Sequence, residues 1–180
     1  MTMGHPLEKF KFCPVCGSAR WTEHNFKSKQ CQDCGFVYYA NPSAATAAFI
    51  LNSRNELLVA RRGKEPAKGT LDLVGGFVDM YETVEEGMRR EIMEETGLEV
   101  DEVTYLFSVP NQYLYSGMVI HTLDADFLVR VGDDAEPKAA DDAADCLWIP
   151  VEDVNPADFG LTSIRRAVER FLEERLWEKY

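Results

Sequence analysis

Cysteine spacing constrains this chain more than any other feature. Cys13 and Cys16 form one C-x-x-C pair, Cys31 and Cys34 form a second, and 14 residues separate the two. Each pair is followed by glycine, as CPVCG and CQDCG, so the backbone can turn tightly at each knuckle. Four thiolates brought together this way suit one tetrahedral zinc ion and leave no open position for catalysis. Two disulfides are the alternative in an oxidising compartment. The N-terminal MTMGHPLEKFKF lacks the apolar core of a secretory signal, which favours structural zinc and a cytoplasmic location. A module of about forty residues cannot hold itself by core burial alone. Zinc binding, worth roughly 10–16 kcal/mol in small peptides, offsets that deficit. The organisation therefore reads as a zinc ribbon over residues 1–40 and a second domain over 41–180. Cys146, in the apolar run CLWI, reads as a core residue.

The 180 residues are 46% hydrophobic and 28% charged, enough for a packed core. Nineteen basic residues against 31 acidic ones give a formal charge of -12. Such a surface repels phosphate backbones and argues against nucleic acid as a partner. A phosphorylated ligand would need local cations, with metal ions the obvious source. Trp21, His24, Phe26, Lys27 and Lys29 lie between the cysteine pairs. They read either as a nucleic-acid contact or as a small ribbon core with a solvated hairpin tip, and the acidic balance favours the second. The cleanest apolar stretch, residues 44–51, is too short to cross a bilayer, so no membrane partner is expected.

Asn41-Pro42 marks a linker turn. Residues 44–51 read as a buried strand, 52–55 as a turn and 56–62 as its hairpin partner. A loop follows over 63–69, then a strand over 70–78 broken by Gly75 and Gly76. Residues 83–96 form the clearest helix, with Val84, Met88 and Ile92 on the core face and Gly97 as a stop signal. Strands are expected over 103–109, 119–131 and from Cys146. An acidic loop should span 132–145. The C-terminal twenty residues carry Leu161, Ile164, Val168, Phe171, Leu172 and Leu176 at helical spacing. Interspersed strands and helices predict a layered α/β (α+β) domain.

The first helix is unusually acidic. Glu91, Glu94 and Glu95 stand at i, i+3 and i+4, an arc of roughly 100°. Gly87, one turn earlier, falls on the same side and adds no bulk. Carboxylates this close repel, so the arrangement suits hard divalent cations such as Mg2+ or Mn2+. A solvated face with i, i+4 partners, Glu86 to Arg90 and Arg90 to Glu94, is the alternative. Gly75 and Gly76 tilt the reading toward a ligand, because glycines beside a helix N-terminus let the backbone approach one closely.

These residues carry a specific resemblance. The chain resembles the Nudix hydrolase family, whose pattern is G-x5-E-x7-R-E-U-x-E-E-x-G-U, with U a bulky aliphatic residue. Gly76, Glu82, Arg90-Glu91-Ile92, Glu94-Glu95 and Gly97-Leu98 fill every fixed position over 23 residues. Many members have proline before the glycine pair and glycine before the first glutamate, where this chain has Val74 and Tyr81. The ribbon is similar to the one in a subset that includes NADH pyrophosphatases. Their S-Q-P-W-P-F-P-x-S element is only faintly echoed by the segment from Ser108 to Tyr113.

The resemblance implies a Nudix-type α/β/α sandwich behind the ribbon. It implies Mg2+- or Mn2+-dependent hydrolysis of a nucleoside diphosphate linked to another group, such as ADP-ribose, NADH or a nucleotide sugar. It assigns Glu91, Glu94 and Glu95 as metal ligands with the Gly76 carbonyl, and leaves the general base open between Glu91 and Glu94. Arg90 orients the acids by salt bridging, and Glu82 pins the loop to the helix. Asp142 and Asp145 are candidates for a further acid, against a solvated loop. Phe77, Tyr113 and Tyr115 could stack on a base, against ordinary sheet packing. Many members are homodimers, so a homodimer is admitted. The other classes open at this stage are a nucleotide sensor or a zinc-ribbon interaction protein with an idle Nudix domain. Removal of nucleotide caps from RNA, through Lys27 and Lys29, is the third and least favoured.

Overall fold

The structure, a computed structural model, describes residues 4–138 and 143–180, and at positions 113, 114, 143 and 144 the backbone only. The chain divides into two compact units. One comprises residues 1–43 with 112–121, and the other comprises 44–111 with 122–180.

In the first unit, strands β1 (Trp21–Asn25), β2 (Ser28–Cys31) and β3 (Val37–Tyr39) form an antiparallel sheet in that order. Its core is small: Cys13, Trp21 and Cys31 with Phe36 against them. The Trp21 and Phe36 rings stack at 6.1 Å. So little burial cannot stabilise a module of this size, which leaves the cysteines to supply the rest. Lys29 corrects the reading of a solvated tip: it is buried, and its ammonium donates to the Phe10 carbonyl at 2.9 Å.

The second unit is built on a sheet with strand order β6-β5-β4-β8-β7. These strands are β4 (Ser43–Leu51), β5 (Glu56–Arg62), β6 (Leu71–Asp72), β7 (Thr104–Tyr115) and β8 (Met118–Arg130). β9 (Ala143–Pro150) pairs antiparallel along the other edge of β5, with Leu57 opposite Ile149 and Ala60 opposite Cys146. Helix α1 (Val84–Thr96) covers one face and α2 (Thr162–Glu173) the other.

Side-chain alternation explains both layers. Ala48 and Ile50 of β4 meet Met88 and Ile92 of α1, together with Phe127 and Val129 of β8. Ala47, Phe49 and Leu51 face Val168 and Phe171 of α2, and the Phe49 and Phe171 rings stack at 4.0 Å. β4 is apolar throughout because both its faces are buried. This is the expected α/β/α arrangement.

Several elements differ from expectation: β7 runs on past 109 to Tyr115, and β9 begins at Ala143, inside the expected acidic loop. The strand expected over 70–78 is regular only at Leu71–Asp72. Beyond it the chain crosses to β4, where the Ala48 amide donates to the Val74 carbonyl at 2.9 Å and the Thr46 amide to the Gly76 carbonyl at 2.8 Å. The close crossing needs glycine, since a Cβ on Gly75 would overlap the Thr46 carbonyl. The C-terminal helix stops at Glu173, and Arg175, at φ 49°, turns the chain into a short 3-10 turn. Among the described residues no helix is long and apolar enough to cross a membrane.

Candidate active site and metal centre

Local sequence sets α1 firmly in place. Thr83 caps it reciprocally: the Glu86 amide donates to the Thr83 hydroxyl at 3.2 Å, and the Thr83 amide to the Glu86 carboxylate at 2.7 Å. This capping box takes Glu86, so the expected Glu86–Arg90 pair gives way to it. Gly97, at φ 71°, closes the other end, its amide donating to the Met93 carbonyl. Glu94 and Glu95 stand in the last turn, which carries no basic residue. Carboxylates at a helix C-terminus meet the negative end of the dipole, so their presence favours a bound cation.

Arg90 organises the cluster. Its guanidinium donates to Glu82 at 2.7 and 3.2 Å, to Glu91 at 2.8 Å, to Glu94 at 3.0 Å and to the Phe77 carbonyl at 2.9 Å. Glu82 accepts from the Asp79 amide as well, at 2.6 Å. With Arg90 first among its partners, the Glu82 carboxyl is held below its ordinary range. Glu91 is pushed the other way, because desolvation outweighs Arg90. The recess beside Gly87 is filled by Glu82, whose Oε1 would lie 2.8 Å from an added Cβ.

The glycine pair meets the same cluster. The Gly75 amide donates to Glu95 at 3.2 Å. A Cβ on Gly76 would stand 2.5–2.7 Å from both Glu91 oxygens. Glu91, Glu94 and Glu95 are thus tethered to Arg90 and Gly75, and among the described residues the cysteines are the set whose ligand atoms all lie within 4.8 Å of one another. The glutamates are therefore not drawn together as a ligand set among the described residues, though carboxylates and a backbone carbonyl are the hard-oxygen donors that Mg2+ or Mn2+ prefers.

Sequence reading missed the cationic wall of this site. A cavity of about 100 Å³ is lined by Arg61, Arg62, Lys64, Asp72, Gly75 and Glu95. Arg61 donates to the Gly69 carbonyl at 2.9 Å, and Arg62 donates to the Pro66 carbonyl at 2.7 Å and pairs with half-buried Asp72. The signal available was ARRGK, three cations within four residues of a strongly acidic chain.

The remaining candidates are scattered. Phe77 is partly exposed beside Gly76. Tyr115 is exposed and belongs to the first unit, not to the unit that carries α1. Asp142 and the side chain of Tyr113 lie outside the described residues. Asp145 pairs opposite Arg61 on β9. Cys146 is half-buried on the α1 side, and desolvation together with nearby Glu95 raises its thiol pKa.

At the cysteine cluster of the first unit, the Sγ atoms of Cys13 and Cys34 are 3.7 Å apart and those of Cys16 and Cys31 are 3.6 Å apart. A zinc tetrahedron with bonds of about 2.3 Å has edges of ~3.8 Å, and a disulfide needs far less. All four are free thiols. Gly17 and Gly35, at φ 73° and 77°, each return an amide to the carbonyl four residues back, that of Cys13 and of Cys31. Amides of Cys34 and Asp33 outweigh desolvation at Cys31 and lower its thiol pKa to about 6. The set fits zinc.

The family model described as NUDIX domain matches residues 41–171. The NAD-capped RNA hydrolase NudC of Vibrio cholerae serotype O1 is 26% identical over 171 residues, 95% of this chain and 61% of that protein. NudC of Haemophilus influenzae strain PittGG is 32% identical over 120 residues, 65% of this chain and 45% of that protein. The chain thus spans roughly half the length of these curated relatives. Among solved structures, a NUDIX hydrolase from Nitrosomonas europaea aligns with a TM-score of 0.66 at 20% identity, covering 92% of each chain. The NUDIX domain of Shewanella oneidensis NrtR, complexed with ADP ribose, aligns at 0.61 and 19% identity, over 77% of this chain and 90% of that one. At such identities the structures show the fold.

Proposed function

The chain belongs to the NUDIX domain family, and from that premise we propose that it is a divalent-metal-dependent hydrolase of a nucleoside diphosphate linked to a second group. The organisation proposed is a structural zinc ribbon over residues 1–40 and the hydrolase domain over 41–180. The observation that carries the reading is the set of carboxylates on one stripe of α1, mounted on Arg90 and pressed against Gly75 and Gly76.

Glu91, Glu94 and Glu95 would hold Mg2+ or Mn2+, with the Gly76 carbonyl as a further oxygen. That carbonyl accepts the Thr46 amide at 2.8 Å and, more weakly, the Thr46 hydroxyl at 3.5 Å, and an ion would take the place of the longer bond. A bound divalent ion supplies charge neutralisation at the diphosphate and acidifies a water. Arg90 and Glu82 do not contact substrate. They hold the carboxylates and lock the 77–82 loop to the helix, and Glu82, itself paired, competes little for the ion. Arg61 and Lys64, on the cavity wall beside Glu95, offer positive charge to the diphosphate in a chain that otherwise repels it.

The names of the NudC relatives and the ADP-ribose complex support adenine-nucleotide diphosphates as the first substrates to try, ADP-ribose and NADH ahead of nucleotide sugars. The test is turnover with Mg2+ on that panel, with nucleoside triphosphates as comparison. Release of a nucleoside monophosphate supports the reading. Tight binding of one compound without turnover of any supports a ligand sensor in its place.

A further inference from the structure

Tyr81 adopts φ 73° and is fully exposed, and its neighbour Met80 is 85% exposed. The left-handed region suits glycine and small polar residues. A bulky aromatic there is an outlier that stores strain. Its ring also buries nothing within the described chain. Single exposed apolar residues are ordinary, but this one bears both costs together.

Its position supplies a reason. The loop 77–82 is closed on one guanidinium, because Arg90 Nη2 donates both to the Phe77 carbonyl at 2.9 Å and to Glu82 Oε1 at 2.7 Å. The Asp79 amide donates to the same Glu82 oxygen. Met80 and Tyr81 form the apex of this loop, and the same Arg90 holds Glu91 and Glu94. The loop backbone at Tyr81 is therefore tied to Arg90, the residue that holds Glu91 and Glu94, while the ring itself stands in solvent. Few rotatable bonds and a locked backbone make such a ring a good stacking surface.

We infer that Tyr81 is a specificity-determining residue: it stacks on the heteroaromatic ring of the nucleotide substrate, with Met80 beside it. The inference rests on the hydrolase reading above. Stacking asks for a ring face and not for the hydroxyl, so it separates two substitutions. Tyr81→Gly removes the ring and relaxes the backbone. Tyr81→Phe keeps the ring and the strain.

The experiment compares steady-state kinetics of the full chain and both variants with Mg2+ and ADP-ribose or NADH, alongside their melting temperatures. Tyr81→Gly should raise KM by ~5- to 100-fold, the range that base stacking spans. The loss should fall on KM more than on kcat, with a melting temperature no lower than the parent's. Tyr81→Phe should keep the parent KM. An unchanged KM in Tyr81→Gly overturns the inference and leaves the hydrolase reading intact. So does a Tyr81→Phe variant as impaired as Tyr81→Gly. No turnover by the parent chain on any substrate of the panel overturns the hydrolase reading, and this inference with it.

Discussion

Arg90 and Glu82 are joined by two hydrogen bonds, Nη2 to Oε1 at 2.7 Å and Nε to Oε2 at 3.2 Å. The remaining guanidinium nitrogen holds Glu91 and Glu94. One planar fork therefore orders the loop and two of the acids, and lysine cannot reproduce its geometry. Arg90→Lys should cost about 1–3 kcal/mol in denaturant unfolding and lower kcat at least tenfold. The paired Glu82 titrates below the ordinary carboxylate range. The stability it contributes is present above that range and is lost as pH falls, so the gap between parent and Arg90→Lys should narrow in acid. A gap independent of pH contradicts this account of the pair.

Gly75 and Gly76 should respond differently to the same methyl group. At Gly76 a Cβ meets the Glu91 carboxylate, the movable end of a side chain. Gly76→Ala should fold within about 1 kcal/mol of the parent but lose at least tenfold in turnover. At Gly75 a Cβ meets the Thr46 backbone, at φ 154°. Gly75→Ala should lose about 2–4 kcal/mol. Equal stability of the two variants in urea would count against the close crossing.

Asp126 on β8 is buried, and neither of its oxygens has a partner among the described residues. Desolvation, with Asp124 adding repulsion and Arg170 opposing it, pushes its pKa up to about 8. A raised acid in the folded state makes the protein most stable below the unfolded value near 4. That stability is lost as pH rises toward 8. Asp126→Asn should match the parent near pH 4 and exceed it at pH 8, by at most about 5 kcal/mol. Thermal unfolding at the two values checks the sign. A variant less stable at pH 8 refutes it.

The ribbon should contain one zinc per chain. Removing it with a chelator, or Cys31→Ser, should abolish the order around Trp21 seen by near-ultraviolet circular dichroism. Metal analysis of the purified protein checks the stoichiometry. Full order around Trp21 in zinc-free protein contradicts the assignment, because the core of Cys13, Trp21, Cys31 and Phe36 would then suffice alone.

Much of this was legible in the sequence, for identifiable reasons. α1 announced itself through Thr83, Glu86 and Gly97, and β4 through an apolar run that both sheet faces require. Other features were hidden by long-range contacts. The break in the C-terminal helix was masked because Leu176 keeps helical spacing while Arg175 turns the chain. β7 runs through Pro110 to Tyr115, which a strand at the end of the sheet order tolerates because its outer edge needs no donor. Arg61, Arg62 and Lys64 lie far from the glutamates in sequence, and only sheet pairing and the Gly75 crossing bring them to Glu95. Charge counting placed Lys29 on the surface, but a free carbonyl at Phe10 draws it inside.

The claim on which the account turns is that the glutamates of α1 hold the ion that hydrolysis needs. Glu94 is the test position, since it is half-exposed and packs against nothing in the core. The measurement is Mg2+-dependent release of nucleotide from ADP-ribose by the parent and by Glu94→Gln at matched melting temperature. The account predicts a fall of at least a hundredfold in kcat, with Mn2+ affinity weakened in the same variant. Undiminished turnover by Glu94→Gln, or parent turnover that survives complete removal of divalent ions, would contradict it.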